Sequence, residues 1–564
     1  MSRVAPYGDS AVLVDVDDVA SALWLATAID EARRARTSVA GIEDAVIGFH
    51  SVVVHVDPAA PLELVEQWLS GLVTGAGAGR HAAGRQTATT GDGPRRVDIA
   101  VTFDGPDLAE VAADTGCTVS AVVEQLCRAE LQVAFVGFAP GFPYLVGLPP
   151  ELASVRRRTS PRPSVPAGSV AVGGGFASVY PRATPGGWRL LGRTGTRLFD
   201  PEQPPYALLR PGDRVRFSVG AGDREVETPA DAARPVAPPR PTVRATGHRF
   251  IEVLDPGLLS LVEDGGRRSV TGLGVPRAGP ADPATMRLAN RLVGNPDGCA
   301  AIEVTASGPT LRVSGDAHLG AVASYPDGLE VRIDGYPVGA DVVVPVRHGQ
   351  VVTVGRIRRG LRAYVAVSGG IETPLVVGSR STDLLSGLGL GPLMAGDQLD
   401  LGPPSRPHGQ LSPPLGVTPG HRPTVIRVLT GPHGPRSSED DPLAAGPWTV
   451  GDASNRIGLR LSGHGRPPSP GGAEIPPTGM ITGAIQLPPD GNPIILMPDH
   501  ATTGGYRVVA CVIAADLPLL GQLGPGDTVT FTAVDRPAAR RWYLERERLL
   551  AARVTGWFPT EAAT

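Results

Sequence analysis

A run of aromatic, Gly and Pro residues from Phe135 to Pro149 carries side chains well suited to hold a planar ligand. Its prolines fix φ and remove backbone donors, while its glycines permit turns that are closed to other residues. A stiff strand and loop would therefore project aromatic rings in fixed directions. A pocket wall that stacks on a nucleobase or a small ring needs rings held in this way. The candidate binding residues are Phe138, Pro140, Gly141, Phe142 and Tyr144. The alternative is a barrel-closing turn whose rings only fill a core.

Arginines that flank this loop offer anion binding. The guanidinium fork binds phosphate or carboxylate through two parallel hydrogen bonds, so these side chains indicate a phosphate site. They are Arg157, Arg162, Arg189 and Arg193. In the turn Pro185-Gly-Gly-Trp188, Gly187 lets the backbone approach a ligand closely and Trp188 supplies a ring face. The alternative for the arginines is that they are solvated or form ion pairs with nearby acids. The alternative for the turn is a tight hairpin without a ligand.

Composition excludes several kinds of chemistry. All 52 basic residues are arginine, so the chain holds no biotinyl-lysine, Schiff-base lysine or P-loop lysine, and any biotin must arrive on another protein. The 4 cysteines form no C-x-x-C pair, and the 11 histidines show no H-x-x-H or H-E-x-x-H spacing. We therefore expect neither a disulfide framework nor a metal site.

Charge and hydropathy limit the kinds of partner and the cellular compartment that we expect for this protein. The net charge is −4 without a run of basic residues, which argues against nucleic acid and anionic membranes as partners. The N-terminus lacks a leader pattern, and no apolar run reaches the roughly 18 residues of a membrane span. The sequence predicts a cytoplasmic protein whose partners are small molecules or proteins, and a homo-oligomer is possible.

Length and composition predict a mainly β protein with α+β parts. A chain of 564 residues with 73 Gly, 58 Pro and 19% charged residues favours several domains of short strands and turns. Residues 1–103 predict the βαββαβ order of a ferredoxin-like sandwich, with 97–103 as its last strand. The further predicted segments are a barrel at 104–227, a Pro/Ala linker at 228–248, and a C-terminal tail at 536–564 that contains a charged surface helix at 536–552.

A Gly-Asp turn followed by an alternating strand recurs along the chain. It occurs at Gly212-Asp213, Gly396-Asp397 and Gly526-Asp527, with a looser copy at Gly349-Gln350. Recurrence of this kind predicts tandem β modules that end alike. The alternative is that Gly-Asp is a common turn before any strand.

Long ordered motifs in the first 225 residues resemble the B subunit of 5-oxoprolinase, a family also known as the sporulation-kinase inhibitor family and as allophanate hydrolase subunit 1. The matching segments are 137–149, Val165-Pro-Ala-Gly-Ser-Val170, Tyr180-Pro181 and 185–194. The resemblance adds Ser169 to the candidate binding residues.

Motifs after residue 249 resemble the C subunit of 5-oxoprolinase, which is also described as biotin-dependent carboxyltransferase or allophanate hydrolase subunit 2. They include Ile251–Arg267, Ile302-Glu-Val-Thr305, Gly378–Thr382, Ser454-Asn-Arg456 and Thr502–Tyr506. The resemblance implies cyclophilin-like barrel modules at 249–410 and 411–535. It also implies polar groups that orient a lactam or carboxylate and place a general base. The implied catalytic residues are Asp282, Glu303, Arg380, Arg456 and Asp499, and the implied binding residues are Arg267, Asn455, Thr503, Gly504, Gly505 and Tyr506.

The chain departs from these families at a few positions. Leu126 and Leu131 stand where a His and a Tyr are expected, Phe176 where a Gln is expected, and Pro477-Thr478 where a Ser-Glu is expected. Polar side chains expected at these positions are thereby replaced by mainly apolar ones, and this change affects which substrate the protein would bind.

The resemblance implies a fusion of the B and C subunits of an ATP-dependent 5-oxoprolinase. In that family, ATP is thought to phosphorylate the lactam oxygen, which removes the amide resonance that resists hydrolysis, and a separate A subunit completes hydrolysis to glutamate. One alternative is the carboxyltransferase component of a biotin-dependent urea carboxylase or allophanate pathway. Another is a non-enzymatic inhibitor of a histidine kinase.

Overall fold

The computed structural model describes residues 3–79, 95–220, 242–325, 328–407, 424–435, 441–463 and 474–553. Strands predominate outside the N-terminal domain, which confirms the predicted mainly β fold with barrel modules. Most of the predicted linker at 228–248 and the end of the predicted tail at 554–564 lie outside the described residues. Within the described part, no helix is both long and apolar enough to cross a membrane.

The N-terminal domain is a sheet covered by two helices. The sheet has the strand order β1-β2-β4-β3, and all neighbours are antiparallel. The first helix begins after Asp18, whose side chain accepts a hydrogen bond from Ser21 N. The elements are β1 (Arg3–Tyr7), β2 (Ala11–Asp15), α1 (Val19–Arg34), β3 (Ile42–Ile47), β4 (Ser51–Val56) and α2 (Leu62–Gly79).

Both faces of this sheet are buried, which explains why its central strands are apolar without alternation. Val52 and Val54 pack in the core that includes both helices. Val53 points to the opposite face, where it packs with Met480 and Cys511 of the second half of the chain. His55 lies on that same face, since side chains two residues apart in a strand point the same way.

The barrel that resembles the B subunit, called the B-type barrel below, follows at residues 95–220. Its main sheet has the order β12-β9-β10-β7-β6-β13-β5, and β11 and β8 form a separate pair. The elements are β5 (Arg96–Val101), α3 (Leu108–Asp114), α4 (Val119–Arg128), β6 (Leu131–Val136), β7 (Pro143–Val146), α5 (Pro150–Ala153), β8 (Arg162–Val165), β9 (Ser169–Gly173), β10 (Phe176–Val179), β11 (Thr184–Gly186), β12 (Arg189–Arg193) and β13 (Arg214–Val219).

The prediction that residues 97–103 complete the ferredoxin-like sheet is wrong. β5 instead pairs in parallel with β13 along its whole length, from Arg96 beside Arg214 to Val101 beside Val219. The edge position beside β2 is taken by β1, which forms a hairpin with it. A strand's periodicity does not reveal its partner, so the boundary at 103 falls inside the barrel.

The first of the two C-type modules, which are the modules that resemble the C subunit, is built from a six-stranded and a five-stranded sheet that enclose one apolar core. α6 packs on the outer face of the second sheet and starts at Asp282, which caps it by accepting from Thr285 N. The elements are β14 (Phe250–Asp255), β15 (Leu259–Glu263), α6 (Pro283–Leu292), β16 (Ala301–Thr305), β17 (Thr310–Ser314), β18 (Ala317–Ala323), β19 (Leu329–Ile333), β20 (Tyr336–Val338), β21 (Val343–Val346), β22 (Val351–Ile357), β23 (Arg362–Val367) and β24 (Gln398–Asp400).

The second C-type module holds an eight-stranded sheet in which β32 pairs in parallel with β25, as β13 does with β5. The elements are β25 (Thr424–Thr430), β26 (Trp448–Val450), β27 (Gly458–Ser462), β28 (Glu474–Gly479), β29 (Ala484–Leu487), β30 (Ile494–Leu496), β31 (Thr503–Val512), α7 (Leu517–Leu520), β32 (Thr528–Ala533) and α8 (Arg536–Ala552).

The recurring Gly-Asp motif is one turn built three times. Gly212, Gly396 and Gly526 adopt φ of 94°, 90° and 85°. The following carboxylate accepts from the backbone N–H three residues earlier each time, at 2.9 Å in Asp213, 2.8 Å in Asp397 and 2.9 Å in Asp527. The Asp therefore fixes the turn and the Gly supplies its left-handed backbone.

The C-terminal helix α8 lies on the surface with two of its 17 residues buried, and its ion pairs anchor it to the rest of the molecule. Arg536 donates to Glu66 of the N-terminal domain at 2.6 Å, and Arg287 of α6 donates to Glu547 at 2.9 Å. Ala539 and Leu550, about three turns apart, are both buried. The helix thus joins the N-terminal domain to both C-type modules.

Cutting the chain between the two units is expected to leave them associated. Buried contacts already join them, including the carboxylate of Asp9, which accepts from Ala514 N at 3.0 Å, and Asp44, which accepts from the Thr271 hydroxyl at 2.6 Å. A protease site placed between residues 228 and 247 should yield two fragments that elute together on a sizing column. The same cut combined with Val53→Arg, which puts a charge into the apolar junction, should separate them. Separation of the fragments without that substitution would contradict the prediction.

Candidate functional site

A cleft of about 580 Å³ opens where the N-terminal domain, both C-type modules and α8 meet. This volume is typical of a small-molecule site. Its lining combines charged groups, two imidazoles and apolar side chains, and includes His55, Arg267, Arg277, Met480, His500 and Tyr543. A site at this junction exists only in a molecule that has both units.

The wall segment 278–281 of the cleft is held by the buried guanidinium of Arg456. This group donates to both oxygens of Asp499 at 3.0 and 2.9 Å, to Glu303 at 2.5 Å and to the backbone oxygen of Gly279 at 2.6 Å. The other oxygen of Glu303 accepts from Ala281 N at 2.8 Å. Since Ala281 lines the cleft, the ionic network fixes one wall of it.

The carboxyl groups around Arg456 have pKa values that are shifted in opposite directions. Burial raises the pKa of Glu263 well above its usual range, and burial also outweighs Arg456 to raise the pKa of Asp499. At Glu303, Arg456 and Arg362 outweigh burial and hold the pKa below its usual range. Glu303 is therefore the firmly ionised member of the network, and Glu263 is the one that protonates most readily.

Two neutral imidazoles reach the cleft from different units, His55 from β4 and His500 from the segment before β31. Burial lowers the pKa of each to about 4. His500 Nδ1 lies 2.8 Å from the backbone oxygen of Ala501. Because a carbonyl only accepts, the proton sits on Nδ1, and Nε2 carries a lone pair.

The rim of the cleft is charged. Arg277 donates to Glu43 at 2.5 Å, whereas Arg268 is 68% exposed and lies 3.9 Å from the same carboxylate. From α8, Tyr543 faces the cleft, and burial raises its pKa to about 12, so the phenol stays a hydrogen-bond donor at neutral pH. The rim can thus bind an anionic group through Arg268.

The predicted catalytic residues fall into two sets. Glu303, Arg456 and Asp499 come together in the ionic network, and Asp282 joins it through Tyr364, whose hydroxyl donates to Glu303 at 2.7 Å and accepts from Asp282 N at 2.8 Å. Arg380 lies apart from them and pairs with Glu372. Their catalytic roles stay predictions.

The predicted binding residues of the second unit have mainly structural contacts. Arg267 is buried and donates to the backbone oxygens of Val376 at 3.1 Å and Ser381 at 2.6 Å, although it also lines the cleft. Asn455 caps a turn by accepting from Ile457 N at 2.8 Å. On β31, Thr503, Gly504, Gly505 and Tyr506 run from the junction with the first unit to the pairing of Tyr506 with Glu474 of β28, where Tyr506 is 36% exposed.

The rings of the signature loop, residues 135–149, pack on one another. Phe142 is 1% exposed and meets Tyr144 at a centroid distance of 5.3 Å and Trp188 at 5.5 Å, both edge to face. Phe49 of the N-terminal domain reaches into the same cluster, 4.9 Å from Phe176. The contacts favour the alternative that these rings fill a core, and Leu126 and Leu131 are likewise fully buried in the barrel core.

The rest of this loop forms the junction with the second unit. Phe138 N donates to the Thr503 hydroxyl at 2.9 Å, and Gly141 N donates to the backbone oxygen of Leu273 at 2.9 Å. Pro140 is buried beside them. Pro477 takes part at another junction, where its backbone oxygen accepts from Phe49 N at 2.8 Å.

Most of the predicted phosphate-binding arginines are paired with acids of one segment. Arg162 donates to both oxygens of Asp107 at 3.0 and 2.8 Å. Arg189 pairs with Glu110 at 2.7 Å, and Arg193 pairs with Asp104 at 2.8 Å. Arg157 lies over the ring of Trp188 at 5.7 Å. The two other predicted binding residues make backbone hydrogen bonds. The backbone oxygen of Gly187 accepts from Arg158 N, and the backbone oxygen of the buried Ser169 accepts from Tyr180 N. A phosphate at this place would have to displace an acid, so the site stays a prediction.

Sequence reasoning missed His55, the Glu43–Arg277 pair and the contribution of α8. A signal for His55 was available, because it interrupts the apolar run Val52-Val-Val-His-Val56 of a strand with both faces buried. No local signal pointed to the other two. Among the described residues, no group of three or more His, Cys, Asp and Glu side chains is placed to hold a metal ion.

Two family models match this chain and together span most of it. The model "Carboxyltransferase domain, subdomain C and D" matches residues 2–209, and "Carboxyltransferase domain, subdomain A and B" matches residues 273–533. The helix α8 lies beyond the second match.

Curated relatives divide along the same line. The second half is similar to the C subunit of 5-oxoprolinase from Escherichia coli (strain K12), with 34% identity over 304 residues, which is 53% of this chain and 96% of that protein. The first half is similar to the B subunit of 5-oxoprolinase from Escherichia coli O157:H7, with 52% identity over 126 residues, which is 22% of this chain and 57% of that protein. Urea amidolyase of Lachancea kluyveri is 32% identical over 324 residues, which is 51% of this chain and 17% of that protein.

A solved structure covers the whole arrangement. The crystal structure of TTHA0988 has 33% identity and a TM-score of 0.77, and the match covers 94% of this chain and 100% of that one.

Proposed function

The chain belongs to the carboxyltransferase-domain family that includes the B and C subunits of 5-oxoprolinase, and on that basis we propose that it is a B/C fusion of an ATP-dependent 5-oxoprolinase. In this role it activates the lactam of 5-oxoproline with ATP as co-substrate. A separate protein that corresponds to the A subunit of the family then completes the hydrolysis to glutamate.

The observation that carries the proposal is the shared cleft. Residues of the first unit, such as Glu43 and His55, and residues of the second unit, such as Arg277 and His500, line one cavity. A protein that needs two subunits to build its site gains from having them joined, because the linker keeps both at high effective concentration. The cleft also offers what lactam activation needs, namely groups that hold the amide and a cationic rim for its carboxylate.

The test is 5-oxoproline-dependent release of ADP by the full chain with an added A subunit. We expect turnover that requires both 5-oxoproline and this added protein, and that is lost when Val53→Arg opens the junction. As a matched control, Val219→Arg changes an exposed valine that is 70% accessible and should keep full activity. Absence of turnover from the intact chain would contradict the proposal.

The similarity to urea amidolyase makes carboxyl transfer to urea the competing function. A chain without lysine would then need a carrier protein with biotin. Carboxylation of urea with such a carrier, without any response to 5-oxoproline, would favour that alternative. Inhibition of a histidine kinase by the chain without either turnover would favour a regulatory role.

A further inference from the structure

The cleft contains polar atoms that the protein itself leaves unsatisfied. The hydroxyl of Thr502 and His55 Nε2 are both buried at the cleft, and neither has a hydrogen-bond partner within the described residues. Nor does any described residue bond to His500 Nε2. Because buried polar side chains are in large majority hydrogen-bonded, the Thr502 hydroxyl and His55 Nε2 point to a partner from outside the chain.

The chemistry of these atoms defines what the partner offers. His500 Nε2 is a pure acceptor, since its ring is neutral and its proton is committed to the Ala501 carbonyl. The Thr502 hydroxyl, two residues further on, can donate. In a five-membered lactam the N–H and the C=O lie on the same edge of the ring, so an acceptor and a donor that line the same cleft can bind that edge together. The apolar side chains of Met480 and Met497 in the cleft suit the ring itself.

Rigidity makes His500 a good recognition group. Its neighbour Asp499 is clamped through both oxygens by Arg456, and its own backbone N–H donates to the Met497 oxygen at 3.0 Å. With Nδ1 also bonded, the ring has little freedom left. A fixed acceptor discriminates well between ligands that have the matching N–H and ligands that lack it.

We propose that His500 Nε2 accepts the amide N–H of a lactam acid, with the Thr502 hydroxyl at the lactam oxygen and Arg268 at the carboxylate. This assignment rests on the proposed function and adds the residue that selects the substrate. It places recognition in the cleft between the units, whereas the rings of the signature loop serve the core.

A pair of substitutions separates recognition from structure. His500→Gln keeps a polar group near the position of Nε2, whereas His500→Asn keeps one near Nδ1 that can still bond to the Ala501 oxygen. We expect His500→Asn to raise the KM for 5-oxoproline about tenfold, in line with one lost hydrogen bond and its unpaired partner, and to leave the KM for ATP unchanged. His500→Gln should stay close to the wild type, and the exposed His248→Gln is the matched control.

A substrate analogue gives a second readout. The wild type should bind N-methyl-5-oxoproline, which lacks the N–H, about tenfold more weakly than 5-oxoproline, and His500→Asn should no longer distinguish the two. An unchanged KM in His500→Asn, or a raised KM in His500→Gln only, would overturn the assignment while 5-oxoproline-dependent turnover by the wild type still supported the function. A wild type without such turnover would overturn both.

Discussion

Replacing Arg456 by Met is expected to lower the free energy of unfolding by about 3 to 5 kcal/mol, because it removes the cation from a buried ionic network. Arg456 is 1% exposed, and its partners Glu303 and Asp499 are fully buried. The substitution keeps an apolar stem of similar length but leaves these carboxyls without their main counter-charge. Urea unfolding of the full chain measures the loss, and Arg460→Met, an exposed position on the adjoining strand, should stay within about 0.5 kcal/mol of the wild type.

The pH dependence of this loss has a definite sign. Arg456 holds the pKa of Glu303 below its usual value, so the stability from the ionised Glu303 is present above the unfolded pKa and is lost as the pH falls through the folded one. The difference between Arg456→Met and the wild type should therefore be large from pH 7 down to about 4, the ordinary pKa of a Glu side chain, and shrink over the range below that pH. A difference that is constant over this range would mean that lost packing, not charge, dominates.

Replacing Phe142 by Ala is expected to cost about 3 to 5 kcal/mol of stability, since it leaves a cavity in the aromatic core of the signature loop. The ring is 1% exposed and packs edge to face with Phe138, Tyr144, Tyr180 and Trp188. Thermal melts should show a large drop for Phe142→Ala and a smaller one for Phe138→Ala, whose ring is only partly buried.

The ligand response decides between the two interpretations of this loop. If the ring fills a core, the stabilisation that ATP and 5-oxoproline give to the folded variant should equal that of the wild type. A variant with an almost unchanged melting temperature and no ligand-induced stabilisation would instead make Phe142 part of a binding surface.

Local structure and the identity of the modules were predictable from residue order alone. The Gly-Asp turns recur because a left-handed glycine and a side-chain acceptor define the same turn wherever they occur, as at Gly212 and Gly526. The helix at 536–552 was predicted with its observed limits, since helix formation depends on near neighbours and Asp535 supplies the cap. The motifs of residues 137–149 and 502–506 were enough to recognise two joined units.

Which of these pieces meet depends on long-range packing. Whether β5 completes the first sheet or joins β13, and whether α8 contacts the N-terminal domain, depends on partners more than 100 residues away in the chain. The candidate site also depends on long-range packing. The aromatic rings near Phe142 pack on one another, whereas His55 and His500, 445 residues apart, line one cleft because the second face of the N-terminal sheet packs on β31. Burial and hydrogen-bond partners, which set the protonation and availability of a side chain, are properties of that packing and not of residue type.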